Sequence, residues 1–137
     1  MTQPSEPPES ADRPASPRGN LVISTVADVT TVTVRDRTLV DGAAIDAIAD
    51  RLYALVDQEN RRKILLDFSG VQFLSSTMLG VLLSLHNKAL GISGKIAICG
   101  LKPEIRNVFH ATQLDRMLAV AETEDQAAAL LNDGKRP

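Results

Sequence analysis

Residues 67–80 read DFSGVQFLSSTMLG, a stretch that joins a strand end, a turn and a helix start. The preceding triplet Ile64-Leu65-Leu66 is too short for a buried helix and predicts a strand covered on both faces. The Ser69-Gly70 pair marks a turn, and a second short apolar run follows from Val71 to Leu74. The hydroxyl cluster at residues 75–77 then opens a helix. The stretch therefore predicts a strand, a loop and a helix in succession.

The helix after this loop carries a broad apolar stripe. The residues that should face the core recur at helical spacing: Met78, Leu79, Leu82, Leu83, Leu85, Ala89 and Leu90. The segment Gly91 to Gly94 should end this helix.

Upstream, the chain opens with strands and continues into a helix. The β-branched runs Leu21 to Val26 and Thr30 to Val34 predict a short antiparallel hairpin. Asp41 is a suitable cap for the helix that follows. The predicted core face of that helix comprises Ile45, Ile48, Leu52, Leu55 and Val56.

Downstream, strands and helices continue to alternate. Residues 95–99 predict a buried strand, and Pro103 with Glu104 predicts a helix start whose core face is Ile105, Val108 and Phe109. A last strand is expected from Met117 to Ala121. A capping box of Thr123 and Gln126 should then open a final helix with Ala127, Leu130 and Leu131 toward the core.

These elements predict one α/β domain: a mixed, mostly parallel β-sheet that opens with a hairpin and has helices packed on it. Five of the 7 prolines fall between Pro4 and Pro17. We therefore interpret residues 1–19 as a disordered Pro-rich tail, residues 20–132 as the domain and residues 133–137 as a flexible C-terminus. The functional surface should lie where strands end and helices begin.

Composition excludes several function classes. A formal net charge of -2, from 15 basic and 17 acidic residues, disfavours direct nucleic-acid binding. No apolar stretch approaches the roughly 20 residues that span a bilayer, so no membrane insertion is expected. The single Cys99 excludes an internal disulfide and fits a reducing, cytoplasmic setting, and neither His86 nor His110 stands in a metal or catalytic motif. The Cys99 thiol is expected to be packed and inert.

The segment 67–80 resembles the central signature of STAS domains in anti-sigma factor antagonists. The turn at Gly91-Ile92-Ser93-Gly94-Lys95, the strand ending at Gly100 and the helix start at residues 103–106 recur in that family in the same order. The resemblance covers roughly residues 20–131, essentially the whole predicted fold.

This resemblance implies a bacterial regulatory module that acts by partner switching in the control of transcription. In the family, a serine at the start of the corresponding helix is phosphorylated by a partner that is both an anti-sigma factor and a serine/threonine kinase. Ser76 occupies that place. The unphosphorylated domain would capture the kinase and free a sigma factor, and phosphorylation would release the kinase. A hydroxyl at a helix N-terminus is suited to this role, because the positive field there tolerates an added phosphate.

The sequence departs from the family pattern beside this serine. Ser75 stands where Asp is common, and Met78 stands where Gly is common. These departures leave Thr77 and Ser75 open as alternative phosphorylation sites. They also leave open a constitutive docking or scaffold subunit of a larger signalling or transport assembly, which would bind without being phosphorylated.

The partner-binding surface is expected along the helix that Ser76 opens. Gly80 lies one turn beyond Ser76, and Ser84 and Asn87 continue its less apolar side. We therefore expect partner contacts at Ser75, Ser76, Thr77, Gly80, Ser84 and Asn87.

No catalytic or cofactor-binding residues are predicted. The sequence contains no Gly-rich phosphate loop, no nucleophile elbow and no acid/base pair. We therefore expect a binding protein rather than an enzyme, with no cofactor and no metal.

Overall fold

The computed structural model describes residues 21–133 of the chain. The predicted disordered tail (1–19), and residues 134–137 of the predicted flexible C-terminus, lie outside the described residues. Within the described part, the strands are β1 Leu21–Val26, β2 Val29–Val34, β3 Thr38–Leu39, β4 Lys63–Asp67, β5 Phe73–Leu74, β6 Lys95–Cys99 and β7 Ala119–Ala121. The helices are α1 Gly42–Asp57, α2 Ser76–Gly91, α3 Pro103–Ala111, α4 Leu114–Met117 and α5 Glu124–Asp133.

Five strands form one mixed sheet in the order β1-β2-β4-β6-β7. β1 and β2 are antiparallel and pair from Leu21 with Val34 to Val26 with Val29. The pairs β2–β4, β4–β6 and β6–β7 are all parallel. The predicted α/β class, with an opening hairpin and a mostly parallel sheet, is therefore confirmed.

Both faces of the sheet are covered, which explains the continuous apolar runs of the central strands. In β4, Ile64 and Leu66 belong to the larger core with α1 and α2, whereas Leu65 belongs to a smaller core with α5. The same alternation holds in β6, where Ile96 and Ile98 face the larger core. Side chains alternate between the faces of a strand, so burial on both faces requires apolar residues at successive positions.

The predicted caps form hydrogen bonds. The Asp41 carboxylate accepts from the Ala44 N–H at 3.0 Å, and the Thr123 hydroxyl accepts from the Gln126 N–H at 3.2 Å. The second half of the predicted capping box differs, because the Gln126 side-chain oxygen accepts from the N–H of Glu122 rather than of Thr123. Both helices therefore begin where the sequence predicts.

Three predicted core positions and one predicted strand position are wrong. Leu83 and Leu90 of α2 and Val108 of α3 are exposed, at 37%, 58% and 40%. Met117 was expected in the last strand, but it ends the short helix α4 and is 44% exposed. Each helix packs on the sheet with one face only, and leucine or valine on the other face is common in folded proteins.

Within residues 21–133, no helix is both long and apolar enough to cross a bilayer.

Candidate partner-binding site

The start of α2 is held in place by a two-stranded ribbon outside the main sheet. β5 pairs in parallel with β3, with Phe73 opposite Thr38 and Leu74 opposite Leu39. The Ser75 N–H continues this ladder by donating to the Leu39 carbonyl at 2.9 Å. Leu39 is fully buried, so the ribbon is anchored in the core. The backbone that leads into α2 is therefore fixed up to the helix cap.

Ser75 is the N-cap of α2 and has the extended backbone of a capping residue, with φ -89 and ψ 167. Its Oγ accepts from the Met78 N–H at 3.4 Å, and its carbonyl also accepts from the Met78 N–H at 3.1 Å. Serine and aspartate are comparably good N-caps. Ser75 therefore fulfils the capping role that an aspartate would have at this position, and its half-buried side chain is directed to the helix backbone.

Ser76 is the first residue of α2, and Thr77 is the second. Both side chains are exposed. No described residue hydrogen-bonds to either hydroxyl, and the first turn of α2 contains no acidic residue. The unpaired N–H groups and the dipole of this helix end therefore give the two hydroxyls a positive local field that no first-turn carboxylate offsets.

Helix geometry separates Ser76 from Thr77. Successive residues of an α-helix are about 100° apart, which puts Ser76, Gly80 and Asn87 within about 40° of one another. This strip lies opposite the buried residues Met78, Val81, Leu82, Leu85 and Ala89. Thr77 and Ser84 lie on one flank of the strip, and the exposed Leu83 and Leu90 lie on the other.

The predicted partner residues are thus brought together on one helix, with the exception of the Ser75 side chain. Gly80, Ser84 and Asn87 are exposed along the same side of α2 as Ser76. Gly80 has open space around it, since a Cβ placed there would meet nothing within 4 Å. Nothing in this domain therefore requires glycine at position 80.

Phe73 is an exposed aromatic residue that the sequence did not single out. It is 62% exposed and lines a groove of about 410 Å³ with Leu74, Ile105 and Val108. A signal was present, because Phe73 lies just before the hydroxyl cluster in a chain with only 3 Phe, 1 Tyr and no Trp. The apolar groove adjoins the loop that leads to Ser76.

Cys99, at the end of β6, is 2% exposed. Burial raises the pKa of its thiol from 9.0 to about 12, and the negative charges of Asp67 and Glu124 act in the same direction.

Asp67 itself closes the turn after β4, since its carboxylate accepts from the Ser69 N–H at 2.9 Å. His86 is half-buried on α2, and the His110 Nδ1 lies 3.1 Å from the Asp115 carboxylate.

The chain matches the family model of the STAS domain over residues 21–127. It is 31% identical over 91 residues to BtrV of Bordetella bronchiseptica, assigned as an anti-sigma factor antagonist, and the match covers 66% of this chain and 78% of BtrV.

Two solved structures share the fold. An anti-sigma factor antagonist from Mycobacterium paratuberculosis is 24% identical with a TM-score of 0.73, over 83% of this chain and 94% of that one. The phosphorylated form of SpoIIAA, a Bacillus cell fate determinant, is 20% identical with a TM-score of 0.65, over 81% of this chain and 98% of that one. The family model, the BtrV match and the shared fold place the chain in the STAS domain family of anti-sigma factor antagonists.

Proposed function

We propose that this chain is a cytoplasmic anti-sigma factor antagonist that works by partner switching. Unphosphorylated, it binds an anti-sigma factor that has serine/threonine kinase activity. Phosphorylation of Ser76 by that kinase then releases the kinase from this chain. The observation that carries the proposal is the placement of Ser76 as the first, exposed residue of α2, in line with the exposed strip through Gly80 and Asn87. The chain itself acts as a regulatory binding protein and catalyses no reaction.

Three hydroxyls lie together at the helix start, and their surroundings favour Ser76 as the phosphate acceptor. The Ser75 Oγ is engaged as the helix cap, and modifying it would remove a hydrogen bond worth about 1 kcal/mol. Thr77 is exposed, but it is turned about 100° from Ser76, toward the flank of the strip. Ser76 combines an uncommitted hydroxyl with a central place on the exposed face.

A phosphate on Ser76 would leave the domain folded and change its surface. A helix N-terminus favours negative charge, so the modified residue is accommodated without loss of α2. In an interface, however, a group of about -1.5 to -2 charge must be desolvated and repels acidic partner residues. SpoIIAA, a protein with this fold, is known in a phosphorylated form, which is compatible with such a switch.

The experiment that tests the proposal is a capture from native lysate with the full chain as bait, followed by phosphosite mass spectrometry of the bait. The variants are Ser76→Asp, Ser76→Ala and Thr77→Ala. We expect wild type, Ser76→Ala and Thr77→Ala to retain a protein with a kinase domain. Ser76→Asp should lose that protein, and phosphate should be found on Ser76 of the wild-type bait.

Ser24→Asp is the matched control, because it adds the same charge at an exposed residue of β1, away from α2. It should capture the kinase as wild type does. Equal capture by every variant, with no phosphate on residues 75–77, would overturn the switch. That outcome would instead favour a constitutive docking subunit that is not phosphorylated. Ser75, which stands where Asp is common in the family, supports this alternative.

A further inference from the structure

A cationic groove of about 430 Å³ lies at the carboxyl edge of the sheet, where β2 and β4 end. Its lining includes Arg35, Arg37 and Lys102 but no carboxylate. The Lys102 ammonium donates to the Ser69 carbonyl at 2.8 Å, a neutral acceptor that leaves the charge uncompensated. Within residues 21–133, neither Arg35 nor Arg37 forms an ion pair. The groove therefore presents three positive charges to whatever enters it.

The cationic groove adjoins the apolar groove that contains Phe73. Gln72 and Lys102 line both cavities, so the two form one composite groove with a positive half and an apolar half. Phe73 and Val108 are 62% and 40% exposed in the apolar half. The apolar half also includes Glu104, whose carboxylate disfavours a second acid there. The two ends of the composite groove therefore differ, and a negatively charged group would bind at the end with Arg35 and Arg37.

We propose that the composite groove binds an acidic–apolar segment of the partner kinase, with carboxylates against the cations and a large apolar side chain against Phe73 and Val108. A small anion would match the cations but leave the apolar half exposed to water. An apolar peptide without acids would leave three charges uncompensated. This inference rests on the proposed function, since it names the chemistry of the partner that approaches α2.

The composite groove lies beside the residue proposed to be phosphorylated. Phe73 and Leu74 form β5, and only the cap Ser75 separates them from Ser76. A partner segment in the groove would therefore have its apolar end nearest to Ser76 and its acids at the Arg35 and Arg37 end. A phosphate on Ser76 would put a group of about -1.5 to -2 charge beside the apolar contact, and the cost of desolvating it would weaken binding of the segment.

The test uses a displayed library of random short peptides, selected on the unphosphorylated full chain. Selected peptides should carry Asp or Glu a few positions from Phe, Leu or Ile. Titration of one selected peptide into ¹⁵N-labelled protein should shift the backbone amides of Arg37, Gln72, Phe73 and Val108. Binding should weaken as salt is raised, because exposed charges are screened.

Variants separate the two halves of the composite groove. Arg35→Gln with Arg37→Gln should weaken binding of the selected peptide by roughly three- to tenfold and reduce its salt dependence. Val108→Ser should weaken binding with the salt dependence unchanged. The matched controls are Arg51→Gln with Arg62→Gln, which removes two exposed charges elsewhere, and Val26→Ser, which removes an exposed valine from β1. Both controls should bind as wild type does.

Several results would overturn this proposal. They are recovery of no binding peptide, selected sequences without acidic residues, amide shifts confined to residues outside the composite groove, and full affinity after loss of both arginines. The peptide experiment contains neither kinase nor phosphate. It can therefore fail while the switch at Ser76 stands, and the switch can fail while the groove still binds acidic–apolar peptides.

Discussion

At the scale of single residues, Gly80 is placed where glycine weakens the domain without an internal reason. It lies in the interior of α2, is exposed, and would have open space around a Cβ. Glycine in a helix interior costs about 1 kcal/mol relative to alanine. Under the proposed function, a bare backbone at this point of the exposed strip would allow the partner to approach α2 closely.

Gly80→Ala should therefore stabilise the isolated domain and weaken partner capture. We expect the free energy of unfolding to rise by about 0.5–1 kcal/mol, measured by urea denaturation. The control is Gly91→Ala at the far end of α2, where a Cβ also meets nothing within 4 Å. Gly91→Ala should leave capture unchanged. Undiminished capture by Gly80→Ala would contradict close approach at this position.

The same scale shows what the sequence could and could not predict. Asp41, Ser75 and Thr123 act as helix caps because capping depends on a few adjacent residues. Burial of Leu83 and Leu90 was predicted wrongly. The sequence of a helix does not show which of its leucines another element covers, and exposed leucines are common. The helix caps could therefore be predicted from the sequence, whereas the exposure of Leu83 and Leu90 could not.

At the scale of elements, the ribbon of β3 and β5 positions the proposed switch. Each strand has two residues, and the pair joins segments that are far apart in sequence. Two residues provide no periodicity, so the pairing could not be predicted from the chain. The longer helices were predicted from a repeat of 3.6 residues, and the longer strands from β-branched or continuous apolar runs. The missing prediction thus concerns the element that fixes Ser75.

Leu39→Ala tests whether the ribbon holds the start of α2. Leu39 is fully buried, and its loss should lower the free energy of unfolding by about 2–4 kcal/mol. Hydrogen exchange of the Ser75 amide, which donates to the Leu39 carbonyl, should accelerate more than that of amides in the middle of α2. Val40→Ala is the matched control, since Val40 is 59% exposed and should change stability by less than about 0.5 kcal/mol. Equal effects of the two substitutions would contradict this anchoring.

At the scale of the whole molecule, the central strands carry two cores on opposite faces, and Cys99 probes the smaller one. It lies on β6, between β4 and β7, and faces the smaller core with α5. With 2% exposure, its thiol can react only when the packing around β6 opens. Cys99 is therefore a built-in probe of unfolding.

Alkylation of native protein by iodoacetamide at mildly alkaline pH should accordingly be slow and limited by opening of the fold. The control is Cys99→Ala with Ser24→Cys, which puts the only thiol on an exposed residue of β1 and should react rapidly. Alkylation of wild type as fast as that of the control would show that β6 is accessible in the folded state.

The raised pKa of Cys99 also predicts how stability depends on pH. The pKa of the Cys99 thiol rises from 9.0 in the unfolded chain to about 12 in the fold, because burial disfavours the thiolate. Below pH 9 both states hold the proton and the thiol has no pH-dependent effect. Above pH 9 the unfolded chain loses its proton first, so the folded state is progressively disfavoured, by at most about 1.4 kcal/mol per pH unit.

The stability difference between wild type and Cys99→Ala isolates this effect, because all other titrating groups are common to both proteins. The free energy of unfolding of wild type, relative to that of Cys99→Ala, should fall steadily as the pH rises from 9 toward 12. The measurement is urea denaturation of both proteins across that range. A difference that stays constant with pH would mean that the thiolate is as well solvated in the fold as in the unfolded chain. That result would be incompatible with a closed smaller core under α5.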